Sequence, residues 1–358
     1  MTTPLTPTAD PRPDTPGTPP VHPRSDRATE DELPTTVVDV AVIGGGAAGL
    51  SGALMLARSR RSVVVIDAGT PRNAPAEGIH GLLGHEGTAP AEYLERGRAE
   101  VRQYGARVLT GEVAGARAAN PAADGDLRFS VELVDGRHLT ARRLLLATGV
   151  RDELPAIPGL AAHWGRSVVH CPYCHGWEVR DQPIGVIATR PASLHQALMF
   201  RQLSDDIIVF AAGLEIDEET RERCAARGIR IVEDPVEEVV DGPGGALAGV
   251  RLAGGEVVAR TALAVATELS PRMEGLESLG LRLEDAGGGM GQKIAAGFAG
   301  VSEVPGVWIA GNAAEPSLQV GPAAAGGALA GGHINGMLVM ADADAAVAAQ
   351  KQGASVGV

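Results

Sequence analysis

A run of β-branched residues that ends in three consecutive glycines constrains this chain more than any other feature. Val37-Val38-Asp39-Val40-Ala41-Val42-Ile43 has the composition of a parallel strand buried on both faces, and it leads directly into Gly44-Gly45-Gly46-Ala47-Ala48-Gly49. Residues 50–60 carry apolar side chains at helical spacing, and Ser62-Val63-Val64-Val65-Ile66-Asp67 is a second buried strand, so the segment predicts a βαβ unit. Gly44-x-Gly46-x-x-Gly49 falls at the strand-to-helix turn, and Asp67 closes the next strand 18 residues after Gly49. Gly44 permits the tight turn, Gly46 lets backbone approach a pyrophosphate, and Gly49 lets helix and strand pack closely. The helix N-terminus offers N–H groups and a partial positive charge to phosphates, while Asp67 can accept hydrogen bonds from ribose hydroxyls. A bare glycine pattern is only a tight turn. With strand, helix and acid in register, it predicts a dinucleotide site.

Further buried strands are expected at 143–147, 184–188, 207–210, 229–233, 262–266 and 307–310, with helical stretches between several of them. Such alternation predicts a doubly wound α/β fold, and 358 residues suffice for roughly two domains. Ala147-Thr148-Gly149 and Ala266-Thr267-Glu268 mark where the chain would leave and re-enter the first domain. We therefore expect two Rossmann-like doubly wound domains, the second (152–267) inserted into a discontinuous first (37–151 and 268–345). Residues 1–36, rich in Pro and Thr and poor in large apolar side chains, read as a disordered leader, and 346–358 as a C-terminal tail. The leader lacks the apolar core of a signal peptide, which predicts a cytoplasmic protein. The glycine-crowded stretch 321–340 contains His333 and Asn335 and reads as a buried helix rather than a membrane span. Lys and Arg number 31 against 44 Asp and Glu, and the net charge of −13 argues against nucleic acid or an anionic membrane as partner.

His170-Cys171-Pro172-Tyr173-Cys174-His175-Gly176 is the chemically richest segment. A thiol pair at C-x-x-C spacing can close a small disulfide ring, with His175 placed as its acid/base partner and His170 as a second candidate. The same letters match a c-type haem attachment pattern, which belongs to exported proteins. Zinc could use Cys171, Cys174 and two of His163, His170 and His175, although a second pair of cysteines or spaced histidines is missing. The remaining cysteine, Cys224, lies in a charged helical stretch and reads as a packing residue. Near the C-terminus, Gly306-Val307-Trp308-Ile309-Ala310-Gly311-Asn312-Ala313 is another strand ending in a glycine turn, followed by Gln319-Val320-Gly321-Pro322 and a small-residue helix.

In their order and spacing these motifs resemble the thioredoxin reductase-like flavoproteins, over nearly everything from Val37 to Met340. The resemblance implies FAD as cofactor, with Gly44, Gly46, Gly49 and Asp67 on its ADP half and Gly311, Asn312, Gln319 and Val320 along its ribityl chain and flavin. His80 and His85 fall in the stretch that family members lay beside the flavin ring, and His80 is taken as a contact. It implies that Cys174 faces the flavin and Cys171 exchanges with the outside thiol, and that the protein is a homodimer.

Three departures narrow the resemblance. Asn312 stands where the family has Asp, and His175 where thioredoxin reductases have Asp after the second cysteine. The second nucleotide loop, Ala188-Thr189-Arg190-Pro191-Ala192-Ser193, has no glycine. There Arg190 occupies the second glycine position, and Pro191 removes an N–H from the anion-binding turn. The strand at 207–210 is followed by Ala211-Ala212-Gly213, without the family's basic cluster for a 2′-phosphate. Cys-x-x-Cys-His-Gly with Gly311-Asn312-Ala313 and Gln319-Val320 is similar to the small-molecule dithiol oxidases typified by the gliotoxin and holomycin pathway enzymes. That resemblance implies an FAD-dependent oxidase turning a small-molecule dithiol into a disulfide, with O2 as acceptor and H2O2 as product. The alternatives are an NADPH-dependent thioredoxin or disulfide reductase, and a non-catalytic flavin- or zinc-binding interaction protein.

Overall fold

The computed structural model describes residues 33–120 and 125–355, so the leader expected over 1–36 lies outside the described residues apart from 33–36. The first sheet is built from β1 (Val38–Ile43), β2 (Val63–Asp67), β3 (Arg107–Thr110), β4 (Val113–Ala119), β5 (Arg128–Leu133) and β6 (His138–Leu146) in the order β3-β2-β1-β6-β5-β4. Strands β3, β2, β1 and β6 run parallel, with Ile43 opposite Leu146. The β4–β5 hairpin lies antiparallel against the N-terminal half of β6, where Phe129 pairs Ala141.

Both faces of this sheet are covered, which is why β1 and β2 are apolar at nearly every position. Val40, Val42, Val63 and Val65 point to the side of α1 (Ala47–Arg58) and α2 (Pro90–Gln103), while Ala41, Ile43, Val64 and Ile66 meet Phe129, Val131 and Leu144 on the other.

The chain leaves along β7 (Val150–Glu153) and returns along β16 (Glu268–Pro271), an antiparallel pair with Val150 opposite Pro271. Between them lie β8 (Val168–Val169), α3 (Pro172–His175), β9 (Ile184–Ile187), α4 (Ala192–Phe200), β10 (Ile207–Phe210), α5 (Glu218–Ala226), β11 (Arg230–Val232), β12 (Val236–Asp241), β13 (Leu247–Leu252), β14 (Val257–Ala259) and β15 (Ala262–Val265). A second parallel sheet has the order β11-β10-β9-β15-β8, packed by α4 and α5 on one face, and the fully buried Cys224 fills that core. The other face is covered by the antiparallel meander β12-β13-β14, whose Val250 and Leu252 pack on Phe210 and Leu263. The sequence reading missed β4, β5 and this meander, because strands with one solvated face lack the unbroken apolar run of the buried parallel strands.

After β16 come the hairpin β17 (Leu283–Asp285) and β18 (Gln292–Ile294), then β19 (Val307–Ile309), which adds to the C-terminal half of β6 with Ile309 opposite Leu146. The last element, α6 (Val320–Ser355), corrects two expectations. The tail expected from 346 begins inside the helix. The helix over 321–340 is buried on one side only: Ala323, Ala330, Ile334 and Leu338 face the core, while Leu329, Met337, Val339 and Met340 are about half exposed. Its 36 residues span about 54 Å at 1.5 Å per residue, whereas the strands beneath span about 20 Å, so it overruns the sheet. Its glycines serve close packing: a Cβ at Gly327 would overlap the Ala48 carbonyl of α1, and one at Gly331 would stand 2.5 Å from the Gly52 carbonyl oxygen. Among the described residues no helix is long and apolar enough to cross a membrane.

Candidate functional site

The C-terminal ends of β1, β2 and β6, the start of α6 and helix α3 of the inserted unit converge on one cavity of about 670 Å³, within the range of cofactor and ligand sites. At its floor, Gly44 has φ +107°, a conformation that disfavours any side chain, and a Cβ there would overlap the Ala147 carbonyl. A Cβ at Gly49 would overlap the Gly44 carbonyl, so this residue sets the closeness of α1 to β1. Gly46 is different: nothing lies within 4 Å of its missing Cβ, and it lines the cavity at the N-cap of α1. This cradle fits a pyrophosphate on a helix N-terminus. Asp67 also lines it, with Oδ1 accepting from the Gly69 N–H at 3.0 Å and Oδ2 from Arg98 at 2.9 Å. The sequence reading missed Arg98, and Gly45, whose Cβ would stand 2.5 Å from the Asp67 carboxylate.

On the opposite wall, Gly311 and Asn312 follow β19, and Gln319 and Val320 open α6. Asn312 uses its amide nitrogen to hold the intervening loop, donating to the carbonyls of Pro316 and Leu318 at 2.9 Å each. An aspartate in its place could donate to neither. The loop so held presents Gln319, whose Nε2 donates to Cys174 Sγ at 3.4 Å.

The paired cysteines flank the start of α3, with Pro172 at its first position and the Cys174 and His175 N–H groups on the Cys171 carbonyl. Their sulfurs are 2.6 Å apart, and both are half-buried in the cavity wall. The proton belongs on Cys171, because the cationic and donor groups gather around Cys174. The hydrogen bond from Cys171, joined by Gln319, Arg72 and His80 against the opposing effect of burial, brings the Cys174 thiol down to about 6. The same hydrogen bond, with burial, pushes the Cys171 thiol up.

Arg72 is the residue whose part sequence reasoning missed entirely. It sits in the loop after β2 and grips Asp152 of β7 through two hydrogen bonds of 2.6 and 2.7 Å, while donating to the Pro316 carbonyl at 3.1 Å. Thr267 adds a third bond to Asp152 at 2.7 Å. Burial works to raise the Asp152 pKa, and the Arg72 pair overrides it.

The histidines divide. His175 has its Nε2 buried without a hydrogen-bond partner, and burial lowers its pKa, so its ring is neutral. His170 donates from Nδ1 to the Val265 carbonyl at 3.0 Å, and burial lowers its pKa as well. His163 is turned away, with Ser167 and Asp241 as its partners. His80 lines the cavity, but its ring nitrogens face Glu86 and Glu178. His85 packs edge-on against Tyr93. Among the described residues no group of three or more His, Cys, Asp or Glu is arranged to hold a metal ion.

The degenerate nucleotide loop joins β9 to α4. Arg190 leaves it to bridge to the first unit, donating to the Gly289 carbonyl at 3.1 Å and to Glu268 at 3.2 Å.

Residues 38–332 match the pyridine nucleotide-disulphide oxidoreductase family. The chain is 36% identical over 290 residues to the thioredoxin reductase tcpT of Claviceps purpurea, covering 78% of this chain and 87% of that one. It is 31% identical over 321 residues to the thioredoxin reductase sirT of Leptosphaeria maculans, covering 86% and 96% respectively. The crystal structure of HlmI superposes with a TM-score of 0.84 at 42% identity, over 90% of this chain and 99% of that chain. The resemblance carried by the glycine loop, the cysteine pair and the C-terminal turn is borne out, as is the Rossmann-type α/β class.

Proposed function

Because the chain belongs to the pyridine nucleotide-disulphide oxidoreductase family, whose cofactor is FAD, we propose that it oxidises a small-molecule dithiol to the cyclic disulfide. Gly44, Gly46, Gly49 and Asp67 would hold the ADP half of FAD, and Gly311, Asn312, Gln319 and Val320 its flavin half. When bound, FAD supplies a two-electron acceptor whose electrons, on this reading, pass to O2 and leave as H2O2.

The chain's own residues carry the thiol chemistry. His175, neutral and lining the cavity, takes the proton from a substrate thiol. The thiolate attacks Cys171 in the oxidised Cys171–Cys174 pair, forming a mixed disulfide, and Cys174 departs as thiolate, the better leaving group because its pKa is the lower. The second substrate thiol then displaces Cys171, which keeps that thiol's proton. One disulfide has formed, one has been reduced, and the two substrate protons, now on His175 and Cys171, match the two that H2O2 carries away. Cys171 opens on the cavity rather than on a flat surface, which suits a small substrate.

The observation that carries the oxidase reading is Arg190. Its side chain leaves the second nucleotide loop and is committed to Glu268 and Gly289, where the loop would need a glycine against a pyrophosphate. The names of the relatives tcpT and sirT favour the second reading, an NADPH-dependent disulfide reductase. Anaerobic mixing of the FAD-loaded protein with NADPH separates them: rapid loss of the oxidised flavin spectrum sinks the oxidase, whereas dithiol-dependent O2 uptake with no response to NADPH supports it. Cys171→Ser should give a folded yellow protein without that O2 uptake. Failure of this variant to fold or to keep FAD would point instead to structural cysteines. We also propose a homodimer, checked by light scattering on the eluting protein.

A further inference from the structure

We propose that His80, held between Glu86 and Glu178 on the wall of the cavity that Cys174 also lines, is a positioning residue that keeps the Cys174 sulfur as its thiolate. The inference deepens the reading of Cys174 as the leaving sulfur and rests on it.

The geometry is specific. The loop carrying His80 is closed on itself, with the Ile79 N–H on the Thr88 carbonyl and the Gly87 N–H on the Ile79 carbonyl, both at 2.8 Å. Within it, the Glu86 carboxylate is fixed from two sides: His80 Nδ1 donates to one oxygen at 2.6 Å and the Gly81 N–H to the other at 2.9 Å. The opposite ring nitrogen lies 3.6 Å from Glu178, which follows the cysteine helix in the inserted unit. His80 thus bridges the two units at the wall of the cavity that Cys174 and His175 also line. Outward it reaches Glu86, whose side chain is 66% exposed.

The surrounding charges set its protonation. The hydrogen bond to Glu86, with help from Glu178 and the Cys174 charge, raises the His80 pKa against a smaller opposing effect of burial. On the Cys174 side the facing groups are Cys171, Gln319, Arg72 and His80. Arg72 is already paired bidentately with the buried Asp152. Of the two cations that act on Cys174, His80 is the one that can also lose its proton.

The test reads Cys174 directly. The reduced, FAD-loaded protein is alkylated with iodoacetamide across a pH series, and fragment-ion mass spectrometry separates Cys171 from Cys174. The parent should show a Cys174 midpoint near 6. In His80→Gln the midpoint should rise by about one pH unit, the lower end of the effect of losing a close opposite charge. Glu86→Gln should produce a smaller rise, and His80→Arg, which restores the charge, should return the midpoint to the parent value. His85→Gln, a change in the same loop away from Cys174, should leave it unmoved. An unshifted midpoint in a folded His80→Gln protein overturns the inference, as does a rise that His80→Arg fails to reverse. Should His80→Gln not fold, Glu86→Gln decides by the same criterion, since the Glu86 side chain lies mostly in solvent. The measurement needs no substrate and no turnover. A shifted midpoint in a protein that oxidises no dithiol would therefore refute the proposed activity and leave the role of His80 standing.

Discussion

Replacing Gly46 with alanine should separate cofactor binding from folding. Gly46 has φ −78° and ψ −174°, an extended conformation that alanine adopts without strain. Nothing lies within 4 Å of the added Cβ. In the FAD-free protein the substitution should therefore change stability by no more than about 1 kcal/mol, the restriction of the unfolded chain by alanine offsetting its poorer fit at the N-cap of α1. The methyl would, however, stand on the cavity surface where a phosphate must meet the helix N-terminus. A loss of FAD affinity of at least about tenfold, or about 1.4 kcal/mol, is expected. Gly49→Ala should do the reverse: its Cβ overlaps the Gly44 carbonyl and stands 3.3 Å from Ala147 Cβ, so backbone must shift and the fold should lose about 3 kcal/mol or more. Thermal melting of the FAD-free variants and fluorescence titration with FAD measure the two effects. A Gly46→Ala protein that melts well below the parent, or binds FAD as tightly, would refute the geometry of the cradle.

Three further outcomes follow from the structure. Asn312→Asp replaces a donor to two carbonyls with an acceptor and should cost about 1–3 kcal/mol. Only the protonated acid can donate, so its folded pKa is raised, and the deficit should shrink in acid and grow with rising pH; parent-like melting at pH 8 would contradict the assigned amide orientation. Burial alone would raise the Asp126 pKa, yet hydrogen bonds from Arg142, Arg143 and Arg128 bring it down to about 2. That depressed carboxylate contributes stability above its unfolded value of about 4, which is lost as pH falls towards 2. Asp126→Asn should thus lower stability by about 1–2 kcal/mol at pH 7, with denaturant curves converging below about pH 2. His175→Gln should slow dithiol oxidation by about 100-fold at pH 7 with melting and FAD content unchanged, the size expected for losing a proton acceptor; unchanged kcat/KM would remove His175 from the reaction.

The parts of the site legible in the sequence were those written in consecutive residues. The β1 turn, the cysteine helix and the β19 turn each announce themselves by a local pattern, because glycine placement and apolar runs answer to constraints within one element. The Arg72–Asp152–Thr267 knot joins residues 80 and 115 positions apart and leaves no periodicity. Thr267 marked a crossing between units, but its hydroxyl bond to Asp152 is a tertiary fact. Likewise the length of α6 was hidden: from 346 on, its Ala-rich residues look like a solvated tail. High alanine propensity, together with the ion pairs of Arg61 and Arg142 to Asp342, keeps the helix going.

The contacts that govern the sulfurs share one property: they cross between the two units. Gln319 reaches Cys174 from the first sheet's side, and His80 meets Glu178 across the same boundary. Arg190 runs the other way to Glu268 and Gly289. The Arg72–Asp152 pair anchors one of the two connecting strands, with Asp152 9% exposed. Removing one partner of this bidentate pair should cost about 3–5 kcal/mol, because the other charge is left uncompensated. The low Cys174 pKa is therefore a property of the docked arrangement, and a mechanism that swung the cysteine helix away would discard it. A dithiol that diffuses into the cavity requires no such excursion. In the proposed oxidation it would meet Cys171 where the structure places it, with the leaving sulfur already held by Gln319.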